Sequence, residues 1–179
     1  MLTMNPDPAL NINAGMLVAG QLGSLSATRY SVVAHLYCGN AQQHRRVLMT
    51  VVHEKVSKFA AAYTAAWNSG EPDAVASFFA PDGQIVINRG QPWVGRKGIS
   101  EMAAGFFTDV PDLKLVCDEV RCAGEHVAYF WTFTGTHAAT KNPLRVVGWE
   151  EWDLNADSKV IASRGWYDAA DYERQTTAK

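Results

Sequence analysis

Glu150 is the carboxyl group in this chain whose neighbours would change its chemistry. Over residues 144–154, alternation puts Val146, Gly148, Glu150, Trp152 and Leu154 on one face of a strand, and Val147, Trp149, Glu151 and Asp153 on the other. The first set is the less polar, so Glu150 is expected to point inward. A carboxyl among Trp and Leu is driven toward its neutral form, because desolvation disfavours the anion, and it can then donate a hydrogen bond or a proton. The competing arrangement turns this strand to solvent or a second subunit and pairs Glu150 with Arg145 or Arg164.

Other side chains could complete a site around that acid. Tyr63 falls on an apolar helical face, so its hydroxyl needs a partner if buried: a ligand, a water or Glu150. Tyr129, Trp131 and Phe133 share one face of a strand and would either wall a flat, apolar ligand or pack the core. Trp67, Ile87, Trp152 and Tyr167 complete the set of candidate ligand contacts. His137, near a strand end, is a candidate base. Asp168 stands before Ala169-Ala170-Asp171-Tyr172, where an aspartate either caps a helix or serves as an acid/base. No pair of histidines lies at ligand spacing, and Cys38, Cys117 and Cys122 form no CxxC pair, so neither a metal nor a disulfide framework is expected.

The elements that must position these residues are legible from residue 52 onward. Val52, Val56, Phe59, Tyr63 and Trp67 recur at helical intervals, and Asn68-Ser69-Gly70 ends the run. Glu71-Pro72-Asp73 opens a second helix that carries Val75, Phe78 and Phe79 to a stop at Pro81-Asp82-Gly83. A strand over 84–88 and a third helix over 98–108 follow. Four long strands are then expected over 113–122, 126–137, 144–154 and 160–167, joined by turns and paired antiparallel. Helices first and a meandering sheet second make an α+β fold in which a curved sheet wraps a long helix and leaves a concave mouth.

Several local phrases resemble the nuclear transport factor 2-like superfamily, in particular its SnoaL-like (polyketide cyclase-like) and ketosteroid isomerase-like members. They are Ala66-Trp67-Asn68-Ser69-Gly70-Glu71-Pro72-Asp73, Phe79-Ala80-Pro81-Asp82-Gly83, Gly95-Arg96-Lys97-Gly98-Ile99, and Lys159-Val160-Ile161 leading to Trp166-Tyr167-Asp168. The resemblance spans residues 52–175 and implies a cone-shaped fold, a homodimer and a cofactor-free isomerase, cyclase or dehydratase chemistry. It lays the oxyanion-binding tyrosine of the isomerases on Tyr63 and their protonated acid on or beside Glu150. The isomerase base falls on Ile87, which cannot accept a proton. Against the SnoaL cyclases, the acid/base falls on Asp168 or Glu150. The epoxide hydrolase constellation would need Phe133, Trp131 and Gly165, which excludes that activity. A non-catalytic module that binds a ligand or dimerises is the alternative function.

Composition limits the partners. Sixteen basic and eighteen acidic residues give a net charge of -2 with no basic patch, so neither nucleic acid nor a membrane surface is an expected partner. Residues 1–50 hold no Lys or Glu and are punctuated by Pro and Gly, which suggests a poorly ordered leader ahead of a domain over 51–175 and a tail over 176–179. Met49 is the expected start of the working protein, with a packed hairpin or helix over 26–37 as the rival. A cytoplasmic, homodimeric protein that binds a small apolar or aromatic molecule is the resulting expectation.

Overall fold

The computed structural model describes residues 53–177. The chain divides into two units, Met1–Val47 and Leu48–Lys179, and every described residue belongs to the second. The expectations for the leader, for Met49, for residues 26–37 and for Cys38 lie outside the described residues.

Helix α1 covers residues 53–68 and buries Val56, Ala60, Tyr63, Ala66 and Trp67 along the expected face. It ends where Gly70 takes a φ of 73°, in the left-handed region that glycine enters without strain. At this end the Asn68 amide behaves like a strand neighbour of β3 (Lys114–Ala123). It donates to the Leu115 carbonyl at 2.9 Å and accepts from the Leu115 N–H at 2.7 Å. Trp67 is thereby held over the inner face of the sheet.

The second helix is shorter than the sequence suggests. Helix α2 spans only Pro72–Ala76, and β1 (Phe79–Ile87) begins at once, so Pro81-Asp82-Gly83 lies within the strand as an irregularity instead of separating helix from strand. Phe79 and Ala80 are buried as strand residues, with Phe79 opposite Val160. Gly83 permits the close approach, since a Cβ there would sit 2.5 Å from the Val160 carbonyl oxygen.

After β2 (Trp93–Val94) and α3 (Gly95–Asp109), the chain runs through β3, β4 (His126–Thr136), β5 (Pro143–Leu154) and β6 (Val160–Tyr167) to α4 (Ala169–Thr177). These four long strands pair antiparallel in succession, and β1 joins β6 in parallel to give one curved sheet of order β2-β1-β6-β5-β4-β3. This is the mixed α+β architecture expected. Burial along β5 alternates as read from the sequence, with Leu144, Val146, Gly148, Glu150, Trp152 and Leu154 inward. Helix α4 is tied to β5 beyond the end of β6. There the Gln175 amide accepts from the Arg145 N–H at 2.8 Å and donates to the Arg145 carbonyl at 3.0 Å.

Candidate functional site

Glu150 is turned to the inner face and is 6% exposed. Its Oε2 accepts from the Trp152 indole N–H at 2.8 Å and from the Ser163 hydroxyl at 3.0 Å. The Tyr63 hydroxyl faces both carboxyl oxygens at 3.4 Å. Among the described residues Oε1 therefore has only that one long contact and is the freer oxygen. Burial raises the pKa of the carboxyl, and the hydrogen bonds from Trp152, Ser163 and Tyr63 offset only part of that rise. Neither Arg145 nor Arg164 pairs with Glu150; Arg164 binds Glu151 and Asp153 on the outer face, each at 3.2 Å.

An apolar cleft opens in front of this carboxyl, with an empty volume of about 500 Å3 including its open mouth. Trp67, Ile87, Trp131, Phe133 and Tyr167 line it together with Glu150. Ile85 on β1, Met102 and Phe106 on α3, Leu113 and Leu115 before and on β3, and Gly165 and Trp166 on β6 complete the wall. Trp131 and Phe133 stack at 5.9 Å and 18° to form one flat side. Gly165 pairs with Glu150 across β5 and β6, and its missing side chain leaves room next to the carboxyl.

Tyr63, Tyr129 and Trp152 lie behind Glu150 and do not line the cleft. Tyr63 is fully buried, enclosed edge-on by Trp152 at 5.0 Å, Phe78 at 5.5 Å, Tyr129 at 5.7 Å and Trp67 at 6.4 Å. Its pKa is pushed far above the ordinary phenol value, first by burial and then by the Glu150 charge, so it is a neutral donor. Tyr129 stacks on Trp152 at 4.7 Å and bonds Thr64 at 2.7 Å through its hydroxyl.

The two remaining candidates stand apart from the cleft. Asp168 accepts the Asp171 N–H at 3.0 Å, as a cap at the start of α4. His137 belongs to the turn between β4 and β5, with its Nδ1 2.8 Å from the Thr140 hydroxyl. Sequence reasoning missed Ser163 and Gly165 as neighbours of Glu150. The signal available was a small residue at alternate positions of the last strand, but the register that brings them to Glu150 depends on a bulge between Asp153 and Leu154. Among the described residues no three His, Cys, Asp or Glu side chains gather in a way that would hold a metal, and no helix is long and apolar enough to cross a membrane.

A family model described as a SnoaL-like domain matches residues 60–163, more than half of the chain and all of the strands that build the cleft up to Ser163. The chain belongs to the SnoaL-like domain family. Solved structures share this SnoaL-like fold at low identity. One is a protein of ketosteroid isomerase-like fold from Catenulispora acidiphila DSM 44928, solved with trimethylamine. It is 22% identical over 66% of this chain and 91% of that one, with a TM-score of 0.62. Another, described as a SnoaL-like polyketide cyclase from Jannaschia sp. CCS1, is 20% identical over 64% of this chain and 83% of that one, with a TM-score of 0.58. AclR of Streptomyces galilaeus, described as a hydroxylase, is 18% identical over 69% of this chain and 96% of that one, with a TM-score of 0.61. At such identities the likeness establishes the SnoaL-like fold alone. No curated protein matches the sequence.

Proposed function

We propose that this SnoaL-like protein binds a small, flat, apolar molecule in the cleft and acts as a cofactor-free enzyme of isomerase or cyclase type, with neutral Glu150 as the acid. The observation that carries this reading is a single buried carboxyl, raised in pKa, forming part of the wall of an otherwise apolar cleft. With Oε2 occupied by Trp152 and Ser163, the proton resides on Oε1 and is given as a hydrogen bond to a ligand carbonyl oxygen. That bond strengthens as negative charge develops on the oxygen when an adjacent carbon loses a proton, which is how a neutral acid stabilises an enolate. Among the described residues the lining holds no second carboxylate and no imidazole, so in this reading the proton on carbon leaves to water or to a basic group of the substrate.

The same lack of a lining base among the described residues, with Ile87 at the position expected for one, favours a second reading as a non-catalytic ligand-binding module. Deuterium exchange at the α-carbon of 1-indanone in heavy water separates the two. Faster exchange with wild-type protein than with Glu150→Gln supports catalysis. Binding of the ketone without faster exchange supports the module.

A homodimer is also proposed. Val116, Thr132 and Val147 form a row across the outer sheet face, with both valines 55% exposed and Trp149 half-buried beside them.

A further inference from the structure

Ser163 places a hydroxyl where the core of a sheet would accept a methyl group. It is 1% exposed on the inner face of β6, between Ile85 of β1 and Trp152 of β5. A buried hydroxyl costs stability unless it is bonded, and among the described residues this one has a single partner, Glu150 Oε2 at 3.0 Å. The strand register explains which oxygen it meets. Gly165 lies directly across from Glu150, Ser163 lies diagonally to one side of it opposite Trp152, and Tyr167 lies diagonally to the other side opposite Gly148. Both donors to Oε2 therefore stand on the Trp152 side. Neither of them lines the cleft, whereas Gly165 and Tyr167 do.

We infer that Ser163 is a positioning residue: its hydroxyl donates to Oε2 beside the Trp152 indole, holds the carboxylic proton on Oε1, and makes Glu150 a stronger donor to a ligand. This rests on Glu150 being the neutral acid of the proposed function, and it adds how that acid is aimed and how strong it is. The indole N–H only donates, so Oε2 accepts from it whether the carboxyl is neutral or ionised. A serine hydroxyl donates or accepts, and its choice decides which oxygen is the carbonyl. With Ser163 donating, Oε2 accepts two hydrogen bonds and the proton is left to Oε1. With Ser163 accepting, the proton would sit on Oε2, directed at Ser163, and the serine hydrogen would have no acceptor among the described residues. The first arrangement satisfies both buried donors. It also sets the strength of the acid, because donors on Oε2 favour the anion over the neutral form. An acid so supported gives a tighter hydrogen bond as charge develops on the ligand oxygen.

The test compares full-length wild type with Ser163→Ala by carbon NMR titration of Glu150, with Glu150→Gln as the assignment control, and by 1-indanone binding and exchange across pH. Ser163→Ala should raise the Glu150 pKa further, because a bond that favours the anion is gone. Indanone affinity, and the exchange rate where wild type catalyses exchange, should fall about 2- to 10-fold at pH values where Glu150 is neutral in both proteins. The fall of either quantity at high pH, as Glu150 ionises, should move to higher pH in the variant. A serine that only fills space would change the melting temperature and leave the Glu150 titration and the pH profile in place, which overturns the inference and spares the acid. Neutron diffraction from perdeuterated wild type decides the matter even if Ser163→Ala does not fold. Deuterium on Oε1, with the Ser163 deuteron aimed at Oε2, is expected; deuterium on Oε2 aimed at Ser163 overturns the inference. A wild-type Glu150 that is ionised at neutral pH overturns the neutral-acid reading and this inference with it.

Discussion

The Tyr63 hydroxyl stands 3.4 Å from each oxygen of Glu150, while the cleft lies on the carboxyl's other side. Phenol and acid are thus arranged in series, so a ligand meets the acid and not the tyrosine. Tyr63 positions and tunes Glu150 through a long, weak contact. Tyr63→Phe keeps the ring packing and removes only the hydroxyl. It should cost about 1 kcal/mol or less in urea unfolding and change indanone affinity little. The Glu150 pKa should rise further, because one of the bonds that lowers it is gone. Collapse of ligand binding would instead place the phenol in contact with the ligand.

Gly165 sets the room beside the acid. A Cβ added there would lie 3.5 Å from Glu150 Cγ and 3.7 Å from Ile87 Cγ1, which are ordinary contacts. Gly165→Ala should therefore fold with a Tm near that of wild type and lose about tenfold or more in indanone affinity, measured by calorimetry, as the ligand is displaced from Oε1. Gly148→Ala is the contrast. Its Cβ would press into the Trp131 ring and come 2.6 Å from the Trp166 carbonyl oxygen, so stability falls along with binding.

The buried carboxyl also predicts a pH dependence. Its pKa is raised in the folded protein, so between the unfolded value and the folded value the native state binds more protons than the unfolded one. This contribution to stability is fully present below the unfolded value, near 4.5, and is lost as pH rises through the folded pKa. Asp112 and Asp153 are shifted the other way and act at lower pH, where they lose stability as pH falls. Subtracting Glu150→Gln from wild type isolates the Glu150 share. The Gln variant should gain on wild type as pH rises above about 5. A difference that is flat with pH would count against a raised pKa.

The outer-face row gives a fourth prediction. Val147→Asp puts charge where a second copy would pack, and Val147 is 55% exposed, so folding should persist. Sedimentation should show a dimer for wild type and a monomer for the variant. A wild-type monomer at high concentration would remove the dimer.

Where one face of an element is buried along its whole length, sequence and structure agree. The alternation of β5 announced Glu150 as inward, and the 3.6-residue period of α1 put Tyr63 and Trp67 on the core face. Both patterns are local. The start of β1 was hidden, because Pro81-Asp82-Gly83 reads as a stop and functions as an irregularity inside a strand whose pairing with β6 is non-local. For the same reason Ser163 and Gly165 could not be assigned to Glu150: a bulge near Leu154 sets their register, and bulges carry no fixed sequence pattern. The enclosure of Tyr63 was also illegible, since it depends on Trp152, Phe78 and Tyr129 meeting from three elements or their connections. The order of donors around the acid is a tertiary property.

The most direct measurement is the protonation of Glu150, by pH-titrated carbon NMR of labelled protein with Glu150→Gln as the assignment control. A neutral acid in the cleft wall predicts a Cδ resonance that stays protonated well above the ordinary glutamate value near 4.5. It also predicts that this resonance moves when 1-indanone binds. A Glu150 that ionises at or below that value, with no response to the ketone, would contradict the role assigned to it.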